Sequence, residues 1–322
     1  MSYNQTMEKI TVGINESGMR LDRFLKKYLV NSSLSYIYRA IRKDVKVNGK
    51  RSKEDYILLT GDEITLYIPD DELAHLTEKK ETHHTGRNEL RIVYEDDNIL
   101  VADKPQGLLT HGDIAEQRNT LVNQVTDHLI ATGEYVPRAE KTFRPAPCNR
   151  LDRNTGGLVV FGKNALSLRK VNKLFQSRRN ISKYYLVVVA GRIDEETVIT
   201  GGIDKDEKTN RVRVADSGRA SESIVRPVAP ADDYSVVEVE LVTGRPHQIR
   251  AHLASIGHPV VGDPKYGDPA VNQRAGADRQ LLHAYRLVFG NVEGGLEYLS
   301  NMEITGEIPE EINRYARGVG IE

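Results

Sequence analysis

A polar, aperiodic stretch divides this chain of 322 residues and so limits the folds available to it. The segment DDELAHLTEKKETHHTGRN is rich in charge and has neither helical nor strand spacing. We interpret residues 71–88 as a linker between a small domain at residues 1–70 and a larger domain at residues 89–322. With 39% hydrophobic residues, the chain can bury substantial cores, which excludes disorder as its main state.

The smaller domain is predicted to combine two short helices with a strand-and-turn unit. Apolar residues recur at helical spacing in RLDRFLKKYLV (residues 20–30) and again over residues 35–41. Beyond them, Val45 and Val47 precede an Asn48-Gly49 turn. Apolar alternation through residues 57–68 indicates further strands.

The larger domain mixes strand and helix patterns, which predicts an α+β fold with a mixed, largely antiparallel sheet. β-Branched and aromatic residues mark strands at residues 90–93, 99–102, 158–161, 185–189 and 234–242. Amphipathic spacing marks helices at residues 119–132, 165–176 and 247–256. The apolar runs are short, so we expect no membrane span, and MSYNQTMEKITVG lacks a signal-like apolar core, which favours the cytoplasm.

Positive charge is concentrated in two places, although the whole chain carries a formal charge of only -1. No acid lies between Asp152 and Asp194, a run that holds nine cations: Arg153, Lys163, Arg169, Lys170, Lys173, Arg178, Arg179, Lys183 and Arg192. In the smaller domain a second group surrounds the single acid Asp44: Arg39, Arg42, Lys43, Lys46, Lys50, Arg51 and Lys53. These surfaces indicate a polyanionic partner, and the scarcity of aromatic residues favours structured RNA over a stacked single strand. The alternative is that acids elsewhere in the fold neutralise the longer run.

One acid stands out in the segment NRLDRNTGGLVV (residues 149–160). Asp152 lies between two arginines, ahead of a Gly pair and an apolar strand. Adjacent guanidinium groups favour the ionised form of a partly buried carboxylate, which can then act as a nucleophile or a base. The alternative is a surface turn with a local ion pair.

Three segments, in this order, resemble the signature motifs of the RluA-type pseudouridine synthases. They are NRLDRNTGGLVV, KYYLVVVAG (residues 183–191) and GRPHQIRAHL (residues 244–253), which continues into GHPVVGDPKYG (residues 257–267). The resemblance spans most of residues 90–290 and includes KPQGL at residues 104–108 and LLHAYRL at residues 281–287. The smaller domain resembles the small RNA-binding fold named after ribosomal protein S-four, through RLD at residues 20–22 and VNG at residues 47–49.

The resemblance implies an enzyme that isomerises uridine to pseudouridine in RNA and needs no cofactor. Asp152 is implied as the essential residue, acting as a nucleophile at the ribose or as a base at its carbon 2. Tyr185 would stack on the target uracil and help to remove the carbon 5 proton, and Arg250 would hold Asp152 by an ion pair. Arg150 would fill the space left by a flipped nucleotide, because a stacked base cannot be attacked in place.

The resemblance and the charge pattern together imply a set of RNA-contacting residues. In the larger domain these are Arg150, Leu151, Lys183, Arg245, His247, Gln248 and Leu282. In the smaller domain they are Arg20, Arg39, Arg42, Lys43, Lys46, Asn48 and Lys50. The implied partner is structured RNA of the large ribosomal subunit, with transfer RNA as an alternative, and we expect a monomer.

Two positions depart from the family pattern: Asn149 replaces a His and Gly156 replaces a Ser. Neither is one of the three implied catalytic positions, so activity is expected to be kept. Asp263 is interpreted as structural and Cys148 as a packing residue. No metal site is predicted, because His83-His84 lies in the linker and the spacing of His247 and His252 does not put both on one helical face.

Two other functions remain open at this point. One is a non-catalytic RNA-binding or ribosome-assembly protein with the same fold. The other is a glycosylase that releases free uracil, although glycoside hydrolysis generally needs two carboxylates and the segment after Asp152 contains no second acid until Asp194.

Overall fold

The computed structural model describes residues 7–78, 90–177, 180–206, 211–215 and 218–316. Most of the predicted linker, including His83-His84, and the cations Arg178 and Arg179 lie outside these ranges. None of the helices within them is both long and apolar enough to cross a bilayer.

The smaller domain packs three helices against a three-stranded antiparallel sheet of order β1-β3-β2. Its elements are β1 (Glu8–Thr11), α1 (Leu21–Tyr28), α2 (Leu34–Lys43), β2 (Val45–Val47), β3 (Glu63–Leu66) and α3 (Asp70–Thr77). Helices α1 and α2 lie where apolar spacing predicted them, because their apolar faces supply core residues such as Phe24, Leu25 and Ile37.

Helix α3 occupies the first part of the predicted linker, so the interpretation of residues 71–77 as a linker is wrong. Leu73 and Leu76 are each only 6% exposed and belong to the core of the smaller domain. Two leucines among polar residues are too weak a periodic signal to reveal this helix. Three acids in its first turn stabilise it through the helix dipole.

The larger domain is built on an eleven-stranded sheet, with β10-β9-β11-β12-β8-β13-β7-β5-β4 as its main path and β14 and β6 pairing with β13 and β7. The strands are β4 (Arg91–Glu95), β5 (Ile99–Lys104), β6 (Ala146–Pro147), β7 (Gly156–Gly162), β8 (Ile181–Ala190), β9 (Thr197–Asp206), β10 (Arg211–Ala215), β11 (Arg219–Ala229), β12 (Tyr234–Leu241), β13 (Leu282–Phe289) and β14 (Glu303–Thr305). The helices are α4 (Leu121–Ala131), α5 (Ala165–Gln176), α6 (Gln248–Ser255), α7 (Pro269–Ala275) and α8 (Glu310–Asn313), with a 3-10 turn at Glu297–Leu299. Among the strands of the described residues, β13 and β7 are the one pair that runs in parallel, which confirms the predicted mixed, largely antiparallel α+β fold.

The register of three neighbouring strands brings distant residues into one row. Ala284 of β13 pairs with Gly157 of β7 on one side and with Tyr185 of β8 on the other. Gly157 has a φ of 113°, and a Cβ there would overlap the carbonyl oxygen of Ala284, so only glycine allows this close approach. The loop that precedes β7 therefore lies close to Tyr185.

The two domains touch through the turn at residues 13–16. The Asn15 side chain accepts a hydrogen bond from the backbone N–H of Ala165 at 3.0 Å, at the start of α5. Glu16 is buried and accepts a hydrogen bond from the Thr142 hydroxyl at 2.9 Å. These contacts connect the smaller domain to the sheet and helix layer of the larger one.

Candidate active site

The loop that carries Asp152 runs from β6 to β7 and is fixed at its start by Asn149. The Asn149 amide donates to the Leu158 carbonyl at 3.1 Å, and its oxygen accepts from the Val160 N–H at 2.9 Å. Asn149 therefore ties the loop to β7, which gives this departure from the family pattern a structural role. At the other departure, a side chain on Gly156 would meet the ring of His283.

Lys104 fixes the same loop near its end, at Arg153. Its fully buried ammonium group donates to the carbonyl oxygens of Leu108 at 2.8 Å, Pro105 at 3.0 Å and Arg153 at 3.1 Å. Burial lowers the pKa of Lys104 to about 7, while the charges of Asp152 and Asp103 act in the opposite direction. Sequence reasoning named this segment only as part of the family resemblance and missed the anchor, because a single lysine carries no local signal of burial.

Arg250 holds Asp152 from the opposite side. Its Nη1 donates to Oδ2 of Asp152 at 3.2 Å, while Nε and Nη2 donate to Asp263 at 2.6 and 2.8 Å. Asp263 is fully buried, and burial alone would raise its pKa, but the bonds from Arg250 and from backbone N–H groups outweigh this and lower it. Asp263 is thus an ionised anchor that aims the guanidinium group at Asp152.

His247 lies on the same side of Asp152. Its Nε2 is 3.7 Å from Oδ2 of Asp152, beyond hydrogen-bond distance, and its Nδ1 is 3.0 Å from the Tyr266 hydroxyl. Burial lowers the pKa of His247, so the ring is neutral at pH 7. The residue adopts a left-handed conformation with a φ of 52°, which places the ring beside the carboxylate. His247, which was predicted to contact RNA, therefore lies beside Asp152, and sequence reasoning missed its contact with Tyr266.

Tyr185 is buried in the apolar cluster that also contains Leu151, Ile249 and Leu282. Burial raises the pKa of its phenol, and the negative charge of Asp152 raises it further. The phenol is therefore protonated at neutral pH. An aromatic ring in an apolar wall is suited to stacking on a base, whereas a raised pKa counts against a resting phenolate.

A cavity of about 710 Å³ opens beside the carboxylate. Asp152, Arg150, His247 and Arg250 line it, together with residues of the 109–113 segment. The volume falls in the range of ligand-binding pockets, about 300–1,000 Å³, and is large enough for a nucleotide. Within the described residues, no group of three or more His, Cys, Asp or Glu side chains is placed to hold a metal ion.

The other predicted contacts of the larger domain divide into two classes. Arg150, Lys183 and Arg245 line cavities and are accessible to a ligand. Gln248 is instead buried, and its amide bonds Thr243, Ser223 and backbone groups, so the prediction that it contacts RNA is wrong. A polar residue at a helix start gives no indication of which way its side chain points.

In the smaller domain, most of the predicted contacts are exposed. Arg39, Arg42, Lys43 and Lys50 lie on the surface, and Lys46 is half-buried against the ring of Tyr67. Arg20 is paired with Asp22 at 2.8 Å, and the Asn48 amide donates to Asp62 at 2.8 Å. These last two side chains therefore stabilise the fold of the domain.

Part of the long basic run is neutralised by acids from elsewhere in the fold. Lys163 pairs with Glu95 and Glu134, Arg192 with Asp194 and Asp232, and Arg153 with Asp113. The alternative interpretation of the run therefore holds for these three cations, because acids distant in sequence lie close in the fold.

The comparisons with known proteins agree with this geometry. A family model described as RNA pseudouridylate synthase matches residues 98–255, and an S4 domain model matches residues 19–64. Ribosomal large subunit pseudouridine synthase C of Vibrio cholerae is 31% identical over 299 residues, which cover 87% of this chain and 88% of that protein. Ribosomal large subunit pseudouridine synthase D of Nitrosomonas europaea is 29% identical over 299 residues, covering 91% and 83%.

A solved structure has the same fold at lower sequence identity. Human RNA pseudouridylate synthase domain containing 4 superposes with a TM-score of 0.55 and 20% identity, covering 70% of this chain and 93% of that one. This likeness concerns the arrangement of the backbone.

Proposed function

Since the chain belongs to the RNA pseudouridylate synthase family, we propose that it isomerises uridines of large-subunit ribosomal RNA with Asp152 as the essential residue. The choice of RNA is supported by the relatives, whose names assign them to the ribosomal large subunit. The RNA-binding role is supported by the match of residues 19–64 to the S4 domain.

The observation that carries this proposal is the clamp on Asp152. Arg250 bonds only Oδ2, and no described residue bonds Oδ1 of the carboxylate, which lines the cavity. A carboxylate with one oxygen fixed and the other available can attack carbon 1 of the ribose or remove a proton from carbon 2. Both routes break the bond between the sugar and nitrogen 1 of the uracil.

The surroundings favour isomerisation over release of the base. Hydrolysis of a glycosidic bond generally uses a second carboxyl group as acid or base. Two other carboxyl groups are candidates, but the oxygens of both already accept bonds. Those of Asp263 accept from Arg250 and from the N–H groups of Lys265 and Tyr266. Those of Asp113, which also lines the cavity, accept from Arg153 and from the N–H groups of Ala115 and Glu116. A single available carboxylate beside apolar walls favours retention of the base and its return through carbon 5.

The target uridine must leave its stack to reach Asp152, at an unstacking cost of a few kcal/mol. In this proposal Tyr185 stacks on the extruded uracil, with Leu151 and Leu282 as the apolar surroundings, and Arg150 enters the vacated space. We expect the protein to act as a monomer. The proposed substrate places the protein in the cytoplasm.

The test uses the variant Asp152→Asn, which keeps the shape of the side chain and removes its charge. Large-subunit ribosomal RNA from cells that lack the gene serves as substrate, and pseudouridine is measured by mapping. We expect no product from the variant and RNA affinity within about threefold of wild type, since phosphate contacts dominate affinity. Asp194→Asn, which alters an exposed ion pair, is the matched control with full activity. Product formation by Asp152→Asn, or free uracil from the wild type, would refute the proposal.

A further inference from the structure

A second cavity of about 500 Å³ adjoins the one that contains Asp152. It lies between α5, the start of the Asp152 loop and the segment that joins β12 to α6. Arg150 lines both cavities, and Tyr185, whose pKa is raised by burial and by the nearby charge of Asp152, lines the second one. These two side chains therefore stand at the boundary between the second cavity and Asp152. The volume is within the range of ligand-binding pockets, about 300–1,000 Å³.

Three cations face this second cavity without an acid to balance them. Arg150, Lys183 and Arg245 line it, and across the described ranges none of the three takes part in an ion pair. The Nε atom of Arg245 is buried without a hydrogen-bond partner, and burial lowers the pKa of the Lys183 amino group. Arg226, by contrast, is paired with three glutamates. A cavity with unbalanced cations favours an anion, and in a protein that acts on RNA the available anion is a backbone phosphate.

Side-chain amides on α5 face the same cavity. Asn172, Phe175 and Gln176 have i, i+3 and i+4 spacing, so they share one face of the helix, and all three line the cavity. Among the described residues, neither the Asn172 amide nor the Gln176 amide has a hydrogen-bond partner. Asn and Gln amides pair bidentately with adenine, and aromatic rings stack on unpaired bases. This face of α5 can therefore recognise a base.

We propose that the second cavity binds the nucleotide next to the target uridine, with its phosphate held by Lys183 and Arg245 and its base recognised by Asn172 and Gln176. The inference rests on the proposed function. When the target uridine enters the Asp152 cavity, the RNA strand passes Arg150. The neighbouring nucleotide then lies at the second cavity. Helix α5 then selects among uridines by their neighbour, and the Asp152 loop performs the chemistry.

The experiment uses short stem-loop RNAs built around each uridine that the wild type modifies in large-subunit ribosomal RNA. Each RNA is made with all four bases at the position before and at the position after the uridine. The value of kcat/KM is measured for the wild type and for the double variant Asn172→Ala, Gln176→Ala. Lys173→Ala, on the same helix but exposed and outside the cavity, is the matched control.

We expect the wild type and the Lys173 variant to prefer adenine at one flanking position by about 5- to 150-fold, the usual discrimination of a bidentate amide contact. The double variant should lose this preference, while kcat on the best RNA changes by less than about threefold. Replacing Lys183 and Arg245 by Met should lower the slope of log KM against log salt by about 0.7 per residue.

Two results would overturn the inference. An unchanged base preference in the double variant would show that α5 does not recognise the neighbour. Loss of kcat on every RNA, whatever its flanking bases, would place the target uracil itself in the second cavity. A wild type that forms no pseudouridine at all would overturn the proposed function as well, so the two failures are distinguishable.

Discussion

The two domains differ in where their positively charged side chains lie. In the described part of the smaller domain the buried charged residues are two acids, Glu16 and Asp62, and the predicted RNA-binding cations lie mainly on the surface. In the larger domain Lys104, Arg250 and Asp263 are buried. Arg250 and Asp263 bond each other, and Lys104 bonds backbone carbonyl groups. Removing one exposed charge changes the stability of a protein little, because solvent screens it. Removing the partner of a buried charge lowers the stability strongly. The first arrangement suits graded attraction of RNA, and the second suits exact placement of one carboxylate.

The largest effect is expected when the buried cation Arg250 is removed. Arg250→Met leaves Asp152 and Asp263 without their counter-charge, so we expect the free energy of unfolding to fall by about 3–5 kcal/mol. Pseudouridine formation should fall at least about 100-fold, because Asp152 loses its orientation. Urea unfolding and a product assay at a temperature where the variant is folded measure the two effects.

The control for this prediction is an ion pair of the smaller domain. Arg20→Met breaks the partly exposed contact with Asp22 and should lower the free energy of unfolding far less than Arg250→Met does. If the two substitutions had equal effects on stability, the contrast between the domains would be refuted.

Acid sensitivity sharpens the contrast, because the larger domain also buries histidines. Burial lowers the pKa of His252 from 6.5 to about 4, and both of its ring nitrogens contact serine hydroxyls. Below pH 6.5 the unfolded chain binds a proton at this position that the folded protein does not. The free energy of unfolding should therefore fall by about 3 kcal/mol from this group as the pH drops from 6.5 to 4.

Urea unfolding at several pH values measures this effect. His252→Asn should flatten that part of the profile, even though the variant starts from a lower stability. His75, the exposed histidine of the smaller domain, is the control, and His75→Asn should leave the profile unchanged. An identical slope for the wild type and His252→Asn would contradict the prediction.

The smallest effects are expected on the surface of the smaller domain. The triple variant Arg42→Gln, Lys43→Gln, Lys50→Gln should weaken RNA binding about tenfold and reduce the salt slope by about 0.7–0.9 per residue, with kcat unchanged. Filter binding at three salt concentrations gives both numbers. Lys9→Gln, which removes a cation already paired with Glu63, should change the slope less. A change in kcat in the triple variant would show that this surface acts on the chemistry.

The elements that sequence reasoning found are those with a one-sided apolar pattern. Helix α5 begins and ends at the predicted residues, and α1, α2, α4 and α6 lie within a few residues of prediction. Helix α3 was missed because only two of its side chains are buried. Strands β9, β10 and β11 were missed because the larger domain was searched for runs of β-branched and aromatic residues, and these strands mix such residues with glycine and charged side chains. Their antiparallel pairing defines them in the structure.

The site could be predicted only where a motif carried the information. Arg250 and Asp152 are 98 positions apart, and no spacing rule joins them, so their pairing was expected from the family resemblance alone. Lys104 and Tyr266 lay inside recognised motifs, yet their roles depend on what surrounds them in three dimensions. The burial of Gln248 and the neutralisation of Lys163 are likewise set by residues distant in sequence.

The anchoring of the Asp152 loop by Lys104 has a consequence for protein engineering. The lysine bonds Arg153 across 49 positions of sequence, so the shape of the loop is specified partly from outside it. Transplanting the short NRLDRNTGG segment into another scaffold would transfer the carboxylate but not the hydrogen bonds that hold its loop in shape. A functional graft would have to include the end of β5, which makes the transferable unit a pair of strands instead of a peptide.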